Sequence, residues 1–185
     1  MARMSDAPKP DSGTVERFRT VMLPHLDAAY GFARYLTRDP IEAQDVAQEA
    51  MLRALRYFHA LRGEAPRPWL LRIVRNTWLD LRRKRGSDQP LEAAETIAAD
   101  GPDPEQSALA GDRQRQIAAA LAALPAEMRE ILVLRELQDL PYKQIATVLD
   151  LPIGTVMSRL ARAREKLAVG LRSRLGRRDH GLPDL

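Results

Sequence analysis

The sequence predicts an all-α protein of two small helical domains joined by an acidic linker, and three observations lead there. Apolar residues recur at three- and four-residue intervals through long stretches, the period of a helix with one buried face. Only 5% of the residues are aromatic and no alternating valine or isoleucine run occurs, so nothing favours a sheet. Charge falls in blocks although the net charge of the 185 residues is only +4. Residues 1–65 balance nine Lys/Arg against nine Asp/Glu, and residues 66–85 carry seven Lys/Arg against Asp80 alone. Residues 86–112 hold seven carboxylates and no cation, and residues 113–185 hold thirteen Lys/Arg against eight acids. Two basic modules therefore flank an acidic spacer, and with 45% hydrophobic residues each can build a core.

The N-terminal module, residues 14–86, reads as a three-helix bundle. A first helix is expected from about Thr14 to Leu36, with Phe18, Val21, Met22, Leu26, Ala29, Phe32 and Ala33 on one side. Asp39, Pro40 and Glu42 then form a start signal: a capping carboxylate, a proline whose missing N–H costs nothing at the first helical position, and an acid near the positive end of the helix dipole. The second helix continues to about His59 and directs Ala47, Ala50, Met51, Ala54, Leu55 and Phe58 inward. Its other face carries Asp45, Gln48, Glu49, Arg53 and Arg56. The Glu49–Arg53 spacing fits an ordinary surface ion pair, and periodicity alone does not separate that role from a partner-binding face. After a proline-rich loop, LRGEAPRP, a third helix is expected from about Trp69 to Arg83, with Leu70, Ile73, Val74, Thr77 and Leu81 inward. Arg72, Arg75, Asn76 and Arg83 share another face, a combination suited to nucleic acid. Trp69 and Trp78 could stack on bases or on arginine planes, although tryptophans on short helices are more often core.

The spacer, GSDQPLEAAETIAADGPDPEQSALAGD, has glycines and prolines at its ends and middle, which marks a boundary and leaves room for one short helix from Leu91 to Ala99. Its acidity fits a linker kept hydrated, and equally a segment that follows a basic channel in a partner. The C-terminal module, residues 113–175, contains the most informative stretch, PYKQIATVLDLPIGTVMSRLARAREKL at 141–167, which reads as a helix-turn-helix. Ile145, Val148 and Leu149 give the first helix its apolar face, and Ala146 lets the second approach. Asp150 sits at the turn, and Pro152 suits the first turn of the next helix. There Val156, Leu160, Ala163, Leu167 and Leu171 face the core. Thr155, Ser158, Arg159, Arg162 and Lys166 follow on the adjoining stripe, hydroxyls first and cations after, with no carboxylate among them. A solvated basic face is the bland explanation; the absence of acids and the lengths of the flanking elements favour contact with the base edges and phosphates of a major groove. Residues 1–13 and 176–185, rich in Pro, Gly and charge, are expected as disordered tails.

Other classes of function find no support. The chain has no cysteine, which removes disulfides, thiolate metal sites and cysteine nucleophiles. His25, His59 and His180 fall far apart on different elements, and no Gly-rich phosphate loop occurs, so neither a catalytic site nor a cofactor or metal is expected. No apolar run approaches the roughly 20 residues of a membrane span, and the segment MARMSDAPKPDSG lacks the apolar core of a signal peptide, so a cytoplasmic protein without membrane insertion is expected.

Taken together these segments resemble a bacterial sigma factor of the sigma-70 family. Tyr30–Arg85, with DPIEAQDVAQEAMLRALR and RPWLLRIVRNTWLDLRRKR, is similar to sigma region 2, and LPAEMREILVLRELQDLPYKQIATVLDLPIGTVMSRLARAREKL is similar to region 4. The short acidic spacer in place of an intervening domain is like that of the extracytoplasmic-function subgroup. The resemblance implies a non-enzymatic protein whose partners are core RNA polymerase, promoter DNA and an anti-sigma factor. It places Asp45, Gln48, Glu49 and Arg53 against the clamp helices of polymerase. It makes Leu61–Arg67 the loop that receives a base flipped from the minus-ten element, a step that costs a few kcal/mol of stacking and so rewards one sequence over others. Arg67, Arg72, Arg75 and Asn76 would hold the non-template strand, and Thr155, Ser158, Arg159, Arg162 and Lys166 the minus-35 element. Met157 stands where many members have a basic residue, and Asp150 replaces the commoner turn glycine. Two rivals remain: a free-standing helix-turn-helix regulator, which leaves Asp45, Gln48, Glu49 and the Asn76 face unexplained, and a sigma mimic that sequesters a regulator, which has no need of a basic reading stripe.

Overall fold

The computed structural model describes residues 11–86 and 108–175 of the chain, with side chains described for all of these except 111–114 and 174–175 and, in helix 108–122, residues 108–110. Most of both expected tails, the spacer as far as residue 107 and its candidate short helix lie outside the described residues. Every regular element among the described residues is helical. In the first module these are α1 (Ser12–Met22), α2 (Leu26–Thr37), α3 (Pro40–Arg56) and α4 (Pro66–Lys84). In the second they are α5 (Ala108–Ala122), α6 (Ala126–Leu132), α7 (Tyr142–Leu149) and α8 (Ile153–Leu175).

The first helix expected from the sequence is two. Its apolar period runs unbroken through Pro24, but proline cannot donate to the preceding turn, and a 3-10 turn, Leu23–His25, separates α1 from α2. Asp11 caps α1 by accepting from the Thr14 N–H at 2.7 Å. At the other end of α2, Arg38 adopts the left-handed conformation, φ 62°, and its N–H closes on the Arg34 carbonyl. Asp39 then caps α3 through the Glu42 N–H at 2.8 Å, with Pro40 at the first position, as the start signal predicts. Pro66 and Pro68, read in sequence as loop, open α4 instead: the first N–H groups of a helix have no internal partner, so two prolines there forfeit nothing. Arg67 consequently lies on α4 and not in the preceding loop.

In the second module, the residues expected to close the spacer already belong to α5, which starts at Ala108. A π turn, Val133–Leu137, follows α6, with the Gln138 N–H reaching the Val133 carbonyl at 2.9 Å. Asp150 takes the left-handed turn conformation, φ 55° and ψ 52°, between α7 and α8. Short polar side chains tolerate this conformation better than most, which is why aspartate can stand in for glycine here. Pro152 ends up just ahead of α8, its carbonyl accepting the first helical hydrogen bond from the Val156 N–H at 3.1 Å.

The modules pack against each other. α4 is enclosed by α2 and α3 on one side and by α7 on another, while α2 also meets α6. This double packing explains why Trp69, Leu70, Leu71, Val74, Thr77 and Trp78 are all buried, more of the circumference than one amphipathic stripe supplies. Both tryptophans are core, with Arg82 lying over the Trp78 ring at 5.1 Å. In region α7–α8, Ile145, Val148, Leu149, Val156, Leu160 and Ala163 are buried as their spacing predicts. Removing the α3 cap by Asp39→Ala is expected to lower stability by about 1 kcal/mol, read as a reduced urea midpoint with unchanged slope.

Candidate polymerase and nucleic-acid interfaces

On α3 the polar face expected to meet a partner divides in two. Asp45 and Gln48 are exposed. Arg53 is only 12% exposed, and its guanidinium bridges Glu49 on its own helix at 2.8 Å and Asp80 of α4 at 2.7 Å. Burial works against its charge, but the hydrogen bonds and charges of Glu49 and Asp80 outweigh that and raise its pKa. Arg53 therefore ties α3 to α4, and the face it was expected to share is carried by Asp45, Gln48 and the partly exposed Glu49. Leu52, 55% exposed, continues the Asp45–Gln48 stripe at the next turn. It edges an open apolar groove of ≈590 Å³ between α1, α2 and α3, whose walls include Leu23, Leu26, Met51 and Leu55. The sequence signal for this groove was Leu52 itself, one turn beyond Gln48 on a face otherwise polar.

The four side chains expected at the melted strand have different surroundings. Asn76 is exposed. Arg72 is partly exposed and pairs with Glu64 of the preceding loop at 3.1 Å. Arg67 donates from Nη2 to Gln138 Oε1, at 2.6 Å, and so reaches the second module. Arg75 also reaches it: Nε and Nη2 fork onto the two oxygens of Glu130 at 2.9 and 3.3 Å. The Glu130 side chain is fully buried, and burial pushes its pKa up while Arg75, and more weakly Arg159, pull it down. Beside this pair, Arg129 is buried and donates to the Ala122 carbonyl at the end of α5, as does Arg38, the residue that caps the C-terminus of α2. An unpaired terminal carbonyl of α5 is thereby satisfied from both modules. Burial and the neighbouring Arg38 and Arg82 lower the Arg129 pKa to about 10, against the opposing pull of Glu130.

On α8, Ser158, Arg162 and Lys166 are exposed, whereas Thr155 and Arg159 are half-buried. The Ser158 hydroxyl donates to the Thr155 carbonyl, and Arg159 pairs with Glu127 of α6 at 2.9 Å. Met157 and Ile153 are exposed on the flank of the same helix, at 55% and 51%. Among the described residues no cluster of three or more His, Asp or Glu is placed to hold a metal ion, and no helix is long and apolar enough to cross a membrane.

Two family models match the chain where these modules lie: sigma-70 region 2 over residues 22–87, and sigma-70 region 4 over residues 114–167. The chain therefore belongs to the sigma-70 family, and within it to the extracytoplasmic-function sigma factors, which recognise promoters. It is 35% identical to the RNA polymerase sigma-H factor of Pseudomonas aeruginosa over 84% of this chain and 86% of that protein. It is 34% identical to the extracytoplasmic-function sigma-E factor of Escherichia coli K12 over 68% of this chain and 72% of that one. Its fold is similar to the sigma factor RpoE of Bartonella quintana in complex with the anti-sigma factor NepR, with a TM-score of 0.72 and 26% identity over 85% of this chain and 98% of that chain. CnrH, solved with the cytosolic domain of CnrY, aligns with a TM-score of 0.65 and 26% identity over 88% of this chain and 92% of that one.

The different surroundings of Asp45 and Arg53 give a direct test. Arg53→Met is expected to cost about 1–2 kcal/mol of stability in urea unfolding, because two carboxylates lose a charged donor. Asp45→Asn, on the exposed part of the same face, should leave the midpoint unchanged.

Proposed function

We propose that this chain acts in the cytoplasm as a sigma factor without catalytic activity of its own, docking on core RNA polymerase and directing it to promoters through two modules, residues 14–86 and 113–175. The observation that carries the reading is the presence on one chain, in order, of both family modules, each presenting an exposed set of the expected chemistry. Asp45, Gln48 and Glu49, with the apolar groove beside them, would meet polymerase, and Arg53 would act by holding Glu49 in place. Arg67, Arg72, Arg75 and Asn76 on α4 would take the non-template strand of the minus-ten element. Guanidinium groups suit phosphates and the asparagine amide a base edge. Ser158, Arg162 and Lys166 on α8, with Thr155 and Arg159 at the margin, would enter the major groove of the minus-35 element. The solved neighbours in complex with anti-sigma factors support a partner of that kind here, one that would cover these surfaces until a signal releases them.

Transcription in vitro from fragmented genomic DNA, with core polymerase in the presence and absence of this chain, tests the whole reading. Discrete new starts sharing two spaced upstream elements are expected; binding of the chain to DNA without new starts would favour a free-standing regulator. The double change Asp45→Lys with Glu49→Lys should abolish both polymerase binding and new starts, whereas a simple DNA-binding regulator would be indifferent to it. Arg162→Ala should weaken recognition of the upstream element by about 1–3 kcal/mol while polymerase binding persists, measured as promoter occupancy by the holoenzyme.

A further inference from the structure

The exposed side of α8 carries an apolar strip that the contacts assigned above to DNA leave unused. Ile153 and Met157 are 51% and 55% exposed and stand one helical turn apart at the N-terminal end of α8, the end of a reading helix that meets base edges. Neither is part of the hydrophobic core, although Val156 and Leu160 on the inner side of the same turns are buried in it. Gly154, three residues before Met157, and Ala161, four after it, are exposed as well, and both are small. A Cβ placed at Gly154 would meet nothing within 4 Å. Met157 therefore projects from a low stretch of surface that lets the helix backbone come close to the floor of a groove. Further along the same flank the Arg164 guanidinium is already held by Glu136 at 2.6 Å, so what this flank offers a groove beside Ile153 is the thioether side chain of Met157.

We propose that Met157, with Ile153 beside it, determines specificity by packing on the C5 methyl group of one thymine in the minus-35 element, and so selects T at that position. The inference deepens the sigma-factor reading and rests on α8 entering the major groove. In that groove the base pairs present hydrogen-bonding atoms, and the thymine methyl is the one apolar group among them. Against O6 and N7 of guanine, or the amino group of cytosine or adenine, Met157 would strip water from polar atoms and return no hydrogen bond, which disfavours those bases. Selection then has an attractive part and a repulsive part carried by the same side chain. Methionine suits the task because its unbranched, polarizable chain adapts to the shape it meets.

The test uses holoenzyme assembled from core polymerase and the full chain, on promoter duplexes taken from mapped transcript starts. Each thymine of the minus-35 element, on either strand, is replaced singly by deoxyuridine, which removes the methyl group and keeps every hydrogen-bonding atom. One such replacement is expected to weaken promoter binding about 4-fold, the effect of one buried methyl group. Met157→Ala should bind that duplex with and without the methyl group alike, whereas Arg162→Ala, which weakens binding to both, should keep the ~4-fold difference. Selection from promoters randomised through the element gives a further readout. The unaltered chain should return T at that position and Met157→Arg should return G, because a guanidinium forks onto guanine O6 and N7. A minus-35 element in which no thymine is sensitive to loss of its methyl group would overturn the proposal, and so would a methyl effect that survives Met157→Ala. If the unaltered holoenzyme gave no new starts, the sigma-factor reading would fall. The same replacements, made in duplexes that the chain alone retains from a random pool, would then decide whether Met157 reads thymine, and a chain that retained none would overturn the inference as well.

Discussion

A carboxylate with no exposure to water is tolerable only with a partner, and Glu130 has one in Arg75 from the other module. The pair runs from α4 to α6 and so joins the two modules by a directed contact, beside the apolar packing of α4 on α7 and of α2 on α6. Desolvation of two charges offsets most of their attraction, so an apolar pair of similar volume would hold the modules at least as firmly. What the ion pair contributes is selectivity of arrangement, because a shift of either helix leaves a charge buried and unpaired, whereas leucine against leucine tolerates sliding.

α4 is where the demands meet. One side completes the core of the first module, another is covered by the second, and the strip between carries Arg67, Arg72, Arg75 and Asn76. The prolines at 66 and 68 fix its first turn and thereby the position of Arg67 and of the loop before it. Arg53 fixes the helix laterally by bridging Glu49 and Asp80, which couples the face proposed for polymerase to the face proposed for DNA through one side chain. A disturbance on α3 has a short mechanical route to the strip of arginines.

The helices were legible in the sequence because their apolar period is a local property, and so were the capped start at Asp39 and the left-handed turn at Asp150. Pro24 was not, since the period continues through it and only the broken hydrogen bond reveals the boundary. Pro66 and Pro68 misled in the opposite direction: prolines punctuate loops and helix starts alike, and the choice depends on which N–H groups would otherwise be used. Among candidate site residues, the exposure of Asp45, Gln48, Asn76, Ser158, Arg162 and Lys166 followed from their helical faces. The partners of Arg67, Arg75 and Arg159 lie far away in sequence, at Gln138, Glu130 and Glu127, and periodicity carries no information about contacts of that separation. Arg53 was placed on the right face but reaches around the helix, which a long flexible side chain can do and a helical wheel does not show.

The choice of arginine over lysine on α4 has a structural consequence. A lysine ammonium would be attracted to Glu130 as a point charge, without the paired hydrogen bonds that define direction, and it is more strongly hydrated, so burying it beside α6 would cost more. Arginine can be moved from a carboxylate to a phosphate with its geometry and protonation unchanged, because the two acceptors present similarly spaced oxygens and the guanidinium does not titrate near neutrality. In this arrangement the Arg75 guanidinium is satisfied inside the protein by two directed hydrogen bonds to Glu130, which a lysine in its place would not supply.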